Sequence, residues 1–476
     1  MIPKNNLVLT SNGAFDGSTP ADLQAFFADV AGSGNDHPIV IHFHGGLVDD
    51  ARGRLIAETL YTRYQGAGAY PLFFVWRAGL FEVIRNNFRE IASEDLFPIL
   101  VERVAQYLTG MLKGEKGERG EQVEMPGRNQ VRKELKRRDG TEPYAEEFPD
   151  PELDDDQLSA VQEAQFKALL EGDTRLPEAV QEAAGHDLDT FNPEIREDLK
   201  VVRTQEKEGE RAIISTAAAV AAGVRIIGRC ILRFARGHAH GFYPTIVEEV
   251  ARELKGDWLA NTVWKRMKGD TADAFTGTAQ THGGTALLAE LKKLRAAGDT
   301  RRIVLVGHST GAVFISELLR AAQRDLPPDL RFEVIFLAPA CTFGHFSKTL
   351  GDAAGRISGF RSFAMTDALE QADKLIPVLY PRSLLYFVSG LCEGTEDMPI
   401  VGMQRFHSGA APFDPNDPDN DDIRTVVDRF GANTDAWIWS QSDTADGMRS
   451  KSIRHGDFDN DDTTLQSVGH IIAHGF

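Results

Sequence analysis

Ser309 stands at the centre of Gly307-His308-Ser309-Thr310-Gly311, between the apolar run RIVLV and the amphipathic stretch AVFISELLRAA. Strand, tight turn and helix in that order lift a serine hydroxyl above a sheet edge. A Cβ at Gly307 or Gly311 would clash as such a turn closes on the neighbouring helix and strand. The helix dipole and the Thr310 backbone N–H favour negative charge beside that hydroxyl. The chemistry such a group suits is nucleophilic attack on a carbonyl. A second signal is His44-Gly45-Gly46-Leu47, which follows the apolar run PIVIHF. Paired glycines after a strand free N–H groups to point into a cavity, where they can hold an oxyanion. The Gly46 or Leu47 N–H, joined by that of Thr310, are the expected donors, with His44 supporting the loop.

The elements that must carry these residues are short apolar runs with the look of buried parallel strands. They are Pro38 to Phe43, Pro71 to Trp76, Arg302 to Val306 and Phe332 to Leu337, with weaker runs at Arg361 to Met365 and Asp435 to Trp439. Helical patterns separate them, including Thr285 to Ala297 and Ala312 to Arg324. Such alternation implies an α/β fold with a mostly parallel central sheet and helices on both faces. Between Trp76 and Ile303 no convincing strand appears. That region reads as helix from Leu80 to Leu112, then charged stretches from Lys113 to Gly140 and around Glu146 to Asp156, then helix again from Leu158 to Lys268. The charged blocks read as solvated loops, with partner docking as the sharper alternative.

The motifs look like the oxyanion loop and nucleophile elbow of the α/β-hydrolase superfamily, over about residues 6–112 and 292–476. No subfamily is identified. The resemblance implies an α/β-hydrolase fold with a long, mainly helical insertion. It divides the chain into 1–112, carrying the oxyanion loop; an insertion or cap at 113–285; and 286–476, carrying the elbow, acid and histidine. The family orders its triad as nucleophile, acid, histidine. Asp367, after FAMT, then matches the acid, with Glu370 and Asp373 as competitors that read more simply as a solvated or capping face. His455, in the Gly/Asp-rich loop before the helical run Thr463 to Ile472, matches the base. His407, His470 and His474 fit less well.

The implied activity is hydrolysis of a carboxylic ester through an acyl-enzyme. A lipid or long-acyl ester is suggested only by the apolar segment Ala212 to Leu232. A peptidase or amidase, and an interaction protein working through the charged insertion, are the competing readings. Arg225, Arg229, Arg233 and Arg236 recur at helical spacing beside Ile226, Ile227, Ile231 and Leu232. They suit a packed helix with a solvated arginine stripe, a lid, or peripheral membrane contact through 212–236.

The net charge of −19 argues against a general nucleic-acid binder. Asp457, Asp459 and Asp461 alternate like a calcium loop, but Asp462 and Val468 occupy the places for its glycine and glutamate. No metal or other cofactor is therefore expected; solvated loops and helix capping by Asp461 or Asp462 explain the acids better. Cys230, Cys341 and Cys392 have no disulfide or zinc spacing and read as buried thiols. With no charged-then-apolar leader at the N-terminus, the cytoplasm is the expected compartment.

Overall fold

The computed structural model describes residues 2–46, 50–76, 88–89, 92, 95–116, 158–185, 215–254, 256–377, 379–431 and 435–476. The expected start of a helix at Leu80 and most of the charged stretches from 113 to 156 lie outside them, as does Leu47.

The chain forms two compact units, Met1–Val83 with Asn261–Lys374 and Arg382–Phe476, and Ile84–Ala260 with Leu375–Pro381. The expected boundaries at 112/113 and 285/286 move for physical reasons. Leu100, Val104 and Leu108 bury the apolar face of helix Leu96–Lys116 against the other helices of the second unit. Residues 261–285 go with the sheet because Phe15 donates to the Thr281 carbonyl at 2.9 Å and Gly283 lies tight against Thr10.

The first unit is built on an eight-stranded sheet. Its strands are β1 (Leu7–Ser11), β2 (Ala14–Phe15), β3 (Ile39–Phe43), β4 (Tyr70–Trp76), β5 (Ile303–His308), β6 (Phe332–Leu337), β7 (Ile357–Met365) and β8 (Trp437–Ser440). They lie in the order β2-β1-β4-β3-β5-β6-β7-β8, parallel except for β2. The six sequence runs are all strands. The β1–β2 hairpin was not among them; its Asn12-Gly13 turn, with φ of 48° and 72°, is the signal that marks it. β3 and β5 are fully buried, which is why they read as unbroken apolar runs.

The chain proceeds outward to one side from β3 and to the other from β5. The connections after these two neighbouring strands therefore lead to opposite sides of the sheet, which makes their carboxyl ends a topological switch point. Open α/β sheets bind ligands at such a switch point. The loop holding Gly45-Gly46 leaves β3 there, and Ser309 leaves β5 there.

In chain order the principal helices are α1 (Pro20–Gly32), α2 (Asp50–Gly66), α3 (Leu96–Lys116), α4 (Ala160–Glu171), α5 (Leu176–Gly185), α6 (Thr216–Ala235), α7 (Phe242–Glu253), α8 (Gly256–Asp273), α9 (Gly283–Ala296), α10 (Gly311–Asp325), α11 (Phe343–Ala353), α12 (Asp367–Ala372), α13 (Asp421–Phe430) and α14 (Asp462–His474). α3 to α7 form the second unit.

α6 packs its apolar face on α4, α7, α3 and α5, burying Ile226, Ile227, Cys230 and Ile231. That face is consumed by packing, so the segment gives no ground for an acyl-binding surface. The arginine stripe is solvated at its ends, Arg225 and Arg236, but Arg233 is buried and Arg229 half-buried, because α7 presents a matching row of carboxylates. Arg225 pairs with Glu253, Arg229 with Glu249 and Glu253, and Arg233 with Glu248 and Glu249 at 2.7 and 2.8 Å. Glu248 also takes His240 and the Tyr380 hydroxyl. Burial works to raise the Glu248 and Glu249 carboxyls, but the surrounding cations hold both below their ordinary range. No helix among the described residues is long and apolar enough to cross a membrane.

Arg233→Ala removes the fully buried cation shared by Glu248 and Glu249, leaving Glu249 to Arg229 and Glu248 to His240. It is expected to destabilise the protein by about 3 kcal/mol, read by urea unfolding at neutral pH. A loss within roughly 0.5 kcal/mol, the range of an ordinary surface change, would contradict a buried ion pair here.

Candidate active site

Ser309 is the residue on which β5 ends and α10 begins. Its φ is 55°, the left-handed region that a serine rarely enters. Two backbone bonds hold it there: the Ser309 N–H donates to the Leu337 carbonyl at 2.8 Å, and its carbonyl accepts from Ala340 at 3.0 Å. Both partners lie at the end of β6, so the sheet itself imposes the strain. The tightness expected of the flanking glycines is present. A Cβ at 311 would stand 2.2 Å from the Phe43 carbonyl oxygen, and one at 307 would stand 2.7 Å from the Gly311 backbone. Ser309 is buried, and its hydroxyl has no hydrogen-bond partner among the described residues.

The β3 loop meets this turn directly. A Cβ on Gly45 would come within 3.0 Å of the Ser309 Cβ. The Gly46 N–H donates to the Thr310 side-chain oxygen. A Cβ on Gly46 would meet the Met267 sulfur at 2.1 Å, so only glycine fits between α8 and α10. Thr310 precedes α10 without capping it through its side chain, which leaves that hydroxyl to the Gly46 N–H. His44 supports the loop: its ring stacks on Trp76 at 4.3 Å and lies 2.7 Å from the Gly45 carbonyl, and its Nε2 accepts the Trp76 N–H.

His455 opens the turn His455–Asp457, after β8 and before α14. It is buried, and neither ring nitrogen has a hydrogen-bond partner among the described residues. Burial, aided by the charge of His308, pushes its pKa well below that of free imidazole, against the pull of Asp459. It is therefore neutral at neutral pH, the state a general base needs. Its ring stacks on that of His308 with centroids 5.3 Å apart.

The three acids proposed after β7 separate. Asp367 accepts the Tyr386 hydroxyl at 2.7 Å and the Gln371 amide at 2.9 Å, and makes no hydrogen bond to His455. Asp373 reaches the histidine loop instead, accepting the His455 backbone N–H at 3.0 Å. Glu370 is fully buried, and neither carboxyl oxygen makes a well-formed hydrogen bond among the described residues. Burial, with Asp373 and Asp367 nearby, raises its pKa well above 4.5 despite the neighbouring Ser383 hydroxyl. Glu370 and Asp373 are thus not the solvated or capping face expected from helical spacing. α12 ends after six residues and packs against β7, which turns them inward.

The Asp-rich loop is also less solvated than expected. Asp461 does cap α14, accepting from Thr464. Asp457 accepts the N–H groups of Ile453 and Arg454 at 3.1 and 2.9 Å. Asp459 is buried beneath the elbow, 3.4 Å from the His308 Nδ1. The alternation places three carboxylates on three different sets of donors, an outcome no local pattern distinguishes from a cation loop. Among the described residues no group of three or more His, Cys, Asp or Glu could hold a metal ion. The three cysteines are free and buried.

No family model matches this chain, and neither the curated proteins nor the solved structures contain a significant match.

Gly311→Ala is expected to destabilise the fold by roughly 3 kcal/mol or more, since backbone rather than a flexible side chain must move; an unchanged melting temperature would refute the close approach. Glu370 should also mark the pH dependence of stability. Below pH 4.5 folded and unfolded states both hold its proton. As pH rises, the unfolded state ionises first and stability falls until the folded pKa is passed. Glu370→Gln should therefore gain melting temperature over the parent from pH 4.5 towards neutrality; parallel curves would contradict the raised pKa.

Proposed function

We propose that the chain is a serine hydrolase that cleaves a carboxylic ester through an acyl-enzyme, on an α/β-hydrolase fold. The observation that carries this reading is the strained backbone of Ser309 at the carboxyl end of β5, beside the loop from β3. Strain of that kind persists where the surrounding structure over-determines it, and it lifts the serine out of the strand at the sheet's carboxyl edge. The position of each residue along the sheet supports the same reading: Ser309 follows β5, Asp367 follows β7 and His455 follows β8.

In this mechanism His455 removes the Ser309 proton as the oxygen attacks the ester carbonyl. The negative charge gathers on the carbonyl oxygen, facing the Thr310 N–H; the Gly46 N–H, expected to join it, is given to the Thr310 side chain instead. The imidazolium returns the proton to the departing alkoxide, leaving the acyl group on Ser309. Water, deprotonated by His455, then releases the acid and restores the serine. Asp367 is the acid that chain order nominates. Its carboxylate must leave Tyr386 and Gln371 to reach the histidine ring.

The Thr310 hydroxyl accepts from Gly46 and keeps its own proton available for the oxyanion. Hydrolysis of short p-nitrophenyl esters should be abolished in Ser309→Ala and His455→Ala. Thr310→Val should lower kcat by roughly tenfold to a hundredfold with little change in KM, as loss of an oxyanion contact does. Parent turnover no faster than that of Ser309→Ala would end the hydrolase reading.

A further inference from the structure

His308 lies beside the nucleophile, yet the mechanism above gives it no task. Nor does that mechanism use Asp459, a buried carboxylate in the histidine loop. The two belong together. The His308 Nε2 is 3.0 Å from the His455 carbonyl oxygen, and its Nδ1 is 3.4 Å from the Asp459 carboxylate. A ring with an acceptor on each nitrogen is best satisfied as an imidazolium, donating from both. All three residues are less than a tenth exposed. The rings of His308 and His455 lie 27° from parallel.

We propose that the Asp459–His308 pair is the positioning device of the candidate active site: it anchors the His455 backbone to the nucleophile elbow and sets the basicity of the His455 ring. This rests on the hydrolase reading. His308 is joined to Ser309 by one peptide bond, so whatever His308 holds is held in register with the nucleophile. The bond to the His455 carbonyl fixes one side of that residue, and the Asp373 carboxylate fixes its N–H. Two anchors on one backbone leave chiefly the side-chain torsions free, which suits a ring that must reach Ser309.

The charge has a second effect. A cation beside His455 disfavours its protonation, and the anion beyond favours it. Other titratable groups stand close: the Asp373 carboxylate on the His455 N–H, and His42 and His44 from β3 and its loop. From β3, His42 is fully buried with its Nδ1 3.0 Å from the Tyr64 hydroxyl of α2, and burial pushes its pKa down to about 3. His44 stacks on Trp76. The pair itself is mutually stabilised. Burial works against both charges, but Asp459 raises the His308 pKa above 6.5, and His308 holds Asp459 below the usual carboxylate range.

The test is the rate of Ser309 labelling by a fluorophosphonate as a function of pH, for the full chain and three variants. His308→Gln keeps a donor for the His455 carbonyl but removes the charge. Its acidic limb should move to higher pH by about one unit, because the repelling cation is gone and Asp459 remains. His308→Phe keeps a ring but removes the charge and both donors. It should label on the order of a hundredfold more slowly, the scale of a misplaced base. Asp459→Asn should label roughly tenfold more slowly. It is the second probe should His308→Phe not fold, as read by its melting curve. The proposal is overturned if His308→Gln and Asp459→Asn both label at the parent rate with the parent acidic limb. A parent protein that takes no label at any pH fails the hydrolase reading itself, a different result.

Discussion

A Cβ at position 311 would stand 2.2 Å from the carbonyl oxygen of Phe43. The close approach of α10 to the end of β3 is the constraint on which the rest of the site depends. It brings the β3 loop against the turn after β5, so that Gly45 touches Ser309 and the Gly46 N–H reaches Thr310. It leaves Ser309 no relaxed conformation, because its N–H and carbonyl are already taken by the chain leaving β6. Adjacent parallel strands whose connections depart in opposite directions provide the opening. One steric contact therefore sets the position, the strain and the neighbours of a single hydroxyl.

Around that point the charges are arranged by burial. His455 is kept neutral, the Glu370 pKa is pushed well above its ordinary value, and the charge remaining near the elbow is shared between His308 and Asp459. Each acidic group of the histidine loop is committed to a different donor, which holds the loop without a cation. The second unit solves a similar problem separately: arginines on α6 meet glutamates on α7, and Arg233 is removed from water together with Glu248 and Glu249.

Much of this was legible in the residues because it is local. Runs such as FEVIFL and RIVLV are apolar along their whole length, as strands buried on both faces must be, and they are β6 and β5. Gly-x-Ser-x-Gly carries its own steric reason. What was hidden depends on contacts between distant segments. Asp459 looks like any loop aspartate until the fold places it against a histidine 151 positions earlier, as the numbers 308 and 459 show. Glu370 and Asp373 lie at helical spacing on a segment whose short helix turns them inward. The arginines of α6 look solvated until α7 supplies their partners. The weak β1–β2 pairing was missed although Asn12-Gly13 marks it, because its strands are too short to show a period.

The central claim is that the strained turn makes Ser309 a nucleophile. The most direct measurement is peptide mapping by mass spectrometry after treatment of the full chain with a fluorophosphonate. The account predicts a single phosphonyl adduct, on the peptide containing Ser309, and none when the protein is first unfolded in urea. An adduct spread over several serines, or one on Ser309 that survives unfolding, would contradict it.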